Sequence, residues 1–327
     1  MSRPIFIISL DFELHWGRFD KASVAGNESY YRQAREAVPR ILELFETYEI
    51  EATWATVGML FAADLEEWQA YSLVQQPTYQ NNAFSPYKWL EKNKVQDEFL
   101  FAPKLINRIL QTEGQEVGSH TFSHFYTLEK GQTEGQFRQD LEAAQRIAAD
   151  KFGIRLSSLV FPRNQFNRRY MGISREAGFT AVRSNPADWY WNDTSNETLM
   201  KKAFRTADVF LPVGRSSGFS LSASEWREDM PLEIPASRFL RPYSDIGILN
   251  RLKAVRIKEE MSASAKEAKM YHLWWHPHNH GHRLEESIDF LRVILQHFRQ
   301  LKEHYGMISC NMASVERLVK SRALDTA

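Results

Sequence analysis

From residue 4 to the C-terminal region, short apolar runs alternate with longer stretches of helical period, and few folds accept that rhythm. PIFIISL (4–10), ATWATVG (52–58), SSLVF (157–161), FTAVRS (179–184) and YHLWW (271–275) read as strands. Between them, 31–48 places Val38, Ile41, Leu42 and Phe45 at helical spacing, with Pro39 predicting a late start or a kink. Residues 103–113 read as a helix ending at Gly114. The stretch 134–152 carries Phe137, Leu141, Ala144, Ile147 and Ala148 on one face and stops at Gly153. EESIDFLRVILQHFRQLKEHYG is a long amphipathic helix closed by Gly306, and MISC and SVERLVKS complete the pattern. Repeated βα units of this kind predict a parallel sheet covered by helices, open or closed into a barrel.

Two stretches break the rhythm. Residues 62–101 are rich in Trp, Tyr, Gln and Asn and read as an insertion over a site; residues 185–245 are irregular and hold many of the prolines. No internal repeat or convincing linker divides the 327 residues, so one domain spanning 1–327 is expected. Lys and Arg total 41 against 41 Asp and Glu, with no long basic run, which leaves nucleic acid unsupported as the main partner. The single cysteine, Cys310, excludes an intrachain disulfide framework and a thiolate metal cluster. Asp11 interrupts the first apolar run, no signal-peptide cleavage site follows, and no run of about eighteen apolar residues reads as a membrane span. The expected location is therefore the cytoplasm, and the oligomeric state stays open.

In parallel α/β folds, functional groups gather where the strands end. Strand one ends in SLDFELHWG, giving Asp11, Glu13 and His15. A third strand runs into GSHTFSH, with His120 and His124 four apart, so that both rings fall on one face of a helical turn and can converge on a cation. VFPRNQF gives Arg163, RSNPADWYW gives Asp188, and HLWWHPHNHGH gives His276. Each has a plain structural alternative: a solvated histidine pair, a turn-capping aspartate, a surface ion pair, a polar loop. Five such clusters on the same end of successive strands favour a functional site.

In that order, these motifs resemble the polysaccharide deacetylase family, the NodB-homology or carbohydrate esterase family 4 group. The resemblance spans strand one to about residue 280. It implies a distorted, TIM-like (β/α) barrel of about seven parallel strands and one divalent metal held by a carboxylate and two histidines. His120 and His124 match the metal histidines. The family's usual T-F-D-D-G block is Ser9-Leu10-Asp11-Phe12-Glu13 here, so Asp11 matches the base while Phe12 stands in place of the metal Asp. Alternation along an extended segment puts Glu13 on the face of Asp11, which makes Glu13 the candidate ligand. The Pro-Arg block also departs from R-x-P-(F/Y), and Arg163 is the candidate for the arginine that holds the base. His276 matches the general acid and Asp188 the residue that orients it. No family role transfers to His15, His278 or His280.

The resemblance implies a metal-dependent hydrolase of amide bonds, an N-deacetylase for an N-acetylated sugar. The expected metal is zinc, with cobalt, nickel or manganese as alternatives; a carboxylate and two imidazoles suit such a borderline ion. The expected substrate is a nucleotide- or lipid-linked intermediate of O-antigen or capsule assembly. Trp54, Trp189, Trp274, Trp275 and Tyr79 or Trp89 are candidates to stack on sugar faces, about half of them being core. Two alternatives remain: hydrolysis of a small linear or cyclic amide, as in allantoinase-like and imidase-like relatives, and a non-catalytic metal- or glycan-binding protein.

Overall fold

The computed structural model describes residues 3–186, 188–191, 198–210 and 217–325. Its strands are β1 (Ile5–Phe12), β2 (Ala52–Thr56), β3 (Gln115–Ser119), β4 (Ser158–Leu159), β5 (Ala181–Ser184), β6 (Leu232–Pro235), β7 (Arg238–Phe239), β8 (Met270–Trp275) and β9 (Ile308–Cys310). The helices are α1 (Glu28–Tyr48), α2 (Leu65–Tyr71), α3 (Pro86–Lys92), α4 (Pro103–Gln111), α5 (Glu134–Phe152), α6 (Arg168–Glu176), α7 (Leu199–Ala207), α8 (Gly247–Lys266), α9 (Leu284–Tyr305) and α10 (Met312–Asp325). Every residue of β1 and of β8 is buried, as expected for parallel strands covered on both faces.

The strands run in the order β6-β5-β4-β3-β2-β1-β8-β7, and every pairing between them is parallel. β1 is shared: its second half pairs with β2 and its first half with β9. The segment Leu232–Phe239 starts against β5 and ends against β8, with Ala236 N–H donating to Ser184 O and Ser237 N–H to His272 O. One continuous stretch therefore bridges the two ends of the curled sheet, giving a distorted (β/α) barrel. All strand C-termini consequently open on one rim, where Phe12, Ser119, Ser184 and Trp275 hand over to loops.

α1 runs continuously through Pro39, without the late start that is one of the two outcomes the proline predicts. Val38, Ile41, Leu42 and Phe45 are buried on its inner face, and this packing outweighs one missing backbone bond. α5 opens on a Thr133–Gln136 capping box and stops at Gly153 in the left-handed region, φ 63°. No residue of 62–101 lines the pocket of the site. The stretch folds into α2, α3 and short turns: Trp89 packs on His15 and Trp16, and Tyr79 on Phe125 and Tyr126.

Candidate active site

Asp11 and Glu13 both emerge from the end of β1, on one side of the chain. Asp11 is buried, and Arg183 from β5 binds it through two parallel bonds, Nη1 to Oδ1 at 2.6 Å and Nη2 to Oδ2 at 2.8 Å. Arg183 Nη1 also donates to Ser9 Oγ at 3.1 Å, and the guanidinium lies 4.1 Å over the Trp274 ring. Behind it, His272 Nδ1 donates to the Pro235 carbonyl, so its Nε2 accepts from the Ser9 hydroxyl at 2.8 Å. Burial alone would raise the Asp11 carboxyl; Arg183, helped by the His120 and His276 imidazoles, holds it below its ordinary value.

The arginine that holds Asp11 is thus Arg183 and not Arg163. Arg163 and Asn164 adopt left-handed backbone, φ 55° and 53°, which turns the Arg163 side chain away to Asp20 and Glu129 and over the Tyr126 ring. It still lines the pocket, at a distance from the Asp11 pair. Asp188 is displaced as well. It precedes the turn Trp189–Trp191, beside the Tyr190 phenol and outside the pocket lining. The carboxylates that face His276 Nε2 are Asp11 at 3.6 Å and Glu13 at 3.5 Å.

His120 and His124 do not share a helical turn. They flank a loop after β3 in which Thr121 and His124 take positive φ, 62° and 55°. Buried Asp140 of α5 holds that loop, its carboxylate accepting from Phe122 N–H at 2.6 Å, Ser123 N–H and the Ser123 hydroxyl. The two rings still converge: Glu13 Oε2 lies 3.3 Å from His120 Nε2 and 3.1 Å from His124 Nε2. Left-handed residues concentrate here, since Leu14, Thr121, His124, Arg163 and Asn164 all sit in strand-end loops. Gly17 makes room for Glu13, because a Cβ at position 17 would stand 1.8 Å from Glu13 Oε1.

This donor set fits a divalent cation. His120 Nδ1 must donate to the Val160 carbonyl at 2.8 Å, which leaves Nε2, aimed at the Glu13 carboxylate, as the ring atom available to a proton or a metal ion. Two acceptors in that position repel unless a proton or a metal ion lies between them. Burial raises the Glu13 carboxyl, but His276, His120 and His124 outweigh it and hold the carboxyl well below its usual value; burial lowers His124 to about 4. Ligands at roughly 2.0–2.2 Å in tetrahedral array are separated by about 3.3–3.6 Å, close to the observed spacing.

The pocket over these groups measures about 670 Å³. Trp274, Trp191 and Phe239 wall it, the last two from the 185–245 stretch, and Arg18, Lys21, Lys202 and Arg205 line it with positive charge. Of the candidate stacking residues, only Trp274 reaches the pocket. Trp54 and Trp275 are fully buried, and Trp189 is exposed but outside the lining. His15 is buried, bonded to Tyr31 OH at 3.1 Å, and lowered by burial to about 4.

Residues 18–182 match the family model described as Polysaccharide deacetylase. The chain belongs to the polysaccharide deacetylase family. Asp11, Glu13, Arg183 and His276 all fall outside that match, so their arrangement rests on the geometry above. Among solved structures, the fold resembles a protein named as a polysaccharide deacetylase from Mycobacterium smegmatis, 14% identical, TM-score 0.61, covering 98% of this chain and 91% of that one. It also resembles a polysaccharide deacetylase from Pseudomonas aeruginosa PAO1, so named, at 14% identity and TM-score 0.57, covering 97% and 90%. The PuuE allantoinase is similar at 15% identity and TM-score 0.55, covering 97% and 90%. No curated protein matches significantly.

The sequence motifs do not single out Arg183, His272 or Asp140. A signal existed for the first two, which are charged or polar side chains inside the apolar strands FTAVRS and YHLWW. Such residues are buried only with partners. Asp140, inside an ordinary amphipathic helix, gave none.

Proposed function

We propose that this deacetylase-family chain is one catalytic domain, a metal-dependent N-deacetylase that releases acetate from an N-acetylated sugar. The observation that carries the reading is the convergence of Glu13, His120 and His124 beside an Arg183-bound Asp11 and His276, all on the floor of one pocket. A divalent cation held by Glu13 and the two histidines, zinc being best suited to this donor set, would supply Lewis-acid polarisation of the amide carbonyl. Asp11, kept ionised and oriented by Arg183, takes a proton from the attacking water. His276 gives a proton to the nitrogen as the C–N bond breaks, leaving acetate and a free amine. Glu13 and Asp11 lie 3.5 and 3.6 Å from His276 Nε2, the atom from which that proton leaves.

The aromatic walls suit a sugar face, and the positive lining suits a phosphate attached to it. The substrate we favour is accordingly a nucleotide- or lipid-linked intermediate of surface polysaccharide assembly, met in the cytoplasm. No helix among the described residues is long and apolar enough to cross a membrane. A small linear or cyclic amide fits the same volume and is the second reading.

The test offers zinc-loaded protein neutral, nucleotide-linked and lipid-linked N-acetyl sugars and allantoin, and measures acetate or product release. Acetate from a phosphate-linked sugar supports the reading. Turnover of the cyclic amide alone moves the chain to the second, and no turnover with metal bound leaves a non-catalytic binder.

A further inference from the structure

Glu13 divides its carboxylate between two pairs of histidines. Oε2 faces His120 and His124, while Oε1 faces His276 Nε2 at 3.5 Å and His278 Nδ1 at 3.6 Å. His278 follows β8 on the turn Pro277–Gly281, is only 4% exposed, and its buried Nδ1 has no hydrogen-bond partner among the described residues. The His276 and His278 rings are nearly parallel, 28° apart, with centroids at 5.1 Å, so neither blocks the other's approach to Oε1. The spacings again match the edges of a tetrahedral site, about 3.3–3.6 Å for ligands at roughly 2.0–2.2 Å.

We propose that Glu13 Oε1, His276 Nε2 and His278 Nδ1 form a second site for a divalent cation of the zinc class, and that filling it inhibits the enzyme. This site is the weaker of the two. Asp11 lies near but has both oxygens committed to Arg183, His276 is a quarter exposed, and a second dication on the same carboxylate meets the charge of the first. Two imidazoles and a carboxylate select zinc, cobalt or copper over magnesium or calcium. Once coordinated, His276 Nε2 has no proton to give. The inhibitory effect therefore rests on the proposed role of His276 as acid, whereas the cation site itself does not.

The test titrates metal-free protein with Zn²⁺ by calorimetry, and with Co²⁺ by its visible absorption, alongside acetate release. Wild type is expected to take two equivalents, one tight and one at least tenfold weaker, with activity rising over the first and falling over the second. His278→Ala should keep the first equivalent and the activity it supports, lose the second, and resist excess zinc. A single equivalent in wild type, or two in His278→Ala, overturns the site. Equal inhibition of both proteins by excess zinc overturns the inhibitory role. Two equivalents without any acetate release would preserve the site while the deacetylase reading fails. Should His278→Ala not fold, anomalous scattering from wild-type crystals in excess zinc decides: a second peak among Glu13, His276 and His278 is expected, and its absence refutes the site.

Discussion

Arg183 and Asp11 are both nearly inaccessible to water, so neither charge is tolerable without the other. Arg183→Met should cost about 3–5 kcal/mol in chemical denaturation, as expected when one member of a buried pair is removed. It should also lower kcat by about 10²-fold or more, the usual worth of a positioned base. Burial would then raise the Asp11 carboxyl unopposed by its strongest partner, so the acid limb of the rate profile should move to higher pH. An unmoved limb with an intact fold would contradict the role given to Arg183. Gly17→Ala should push the Glu13 carboxylate off its position and weaken zinc about 10–100-fold, the range seen when support for a ligand is lost; a titration of the folded variant measures it. At this scale the alternation along β1 places Asp11 and Glu13 together, whereas His120 and His124 meet through a loop with left-handed residues and not through the helical turn that their spacing predicts. The sequence misled where a contact depends on which of two arginines the backbone aims inward. Arg163 stood in the expected motif, yet its left-handed φ sent it to Asp20.

The loop that carries His120 and His124 depends on an element that the motif does not contain. Asp140 of α5 accepts from two backbone N–H groups and a hydroxyl of that loop. Asp140→Asn replaces an acceptor by a donor opposite Ser123 N–H, and should destabilise by about 1–3 kcal/mol, the cost of an unsatisfied buried group. Burial also raises the Asp140 carboxyl from 3.8 to about 7. The folded chain therefore keeps a proton that the unfolded chain releases, and this contribution, full below about 4, is lost as pH rises towards 7. Urea denaturation at pH 5 and pH 8 should show a smaller difference in the Asn variant than in wild type. Strands and long helices were readable because burial on both faces leaves continuous apolar runs, and an amphipathic face leaves a 3.6-residue period. The absence of 62–101 from the pocket lining and the presence of Trp191 in it are not readable, because tryptophans in irregular segments look alike whether they face core or pocket.

At the scale of the whole molecule, the curled parallel sheet brings its strand ends onto one rim, so groups from residue 11 to residue 276 share a pocket. A cation that binds only the folded arrangement stabilises all of it at once. Chelation should therefore lower the melting temperature, by an amount equivalent to about 2.7 kcal/mol for metal present at 100 times its dissociation constant. Glu13→Gln should start from the lower value and respond little to chelator. The positive lining at Arg18, Lys21 and Lys202 should make affinity for a phosphate-linked sugar fall with added salt, unlike affinity for a neutral one. Amide hydrolysis at the Asp11–Glu13 centre is what these groups together are built to perform. Its most direct test is acetate release from a phosphate-linked N-acetyl sugar by wild type and Asp11→Asn, each carrying one bound zinc. Acetate from wild type and a loss of about 10²-fold or more in the variant are expected. Equal release from both, or none from wild type with any N-acetylated sugar, would contradict hydrolysis at that centre.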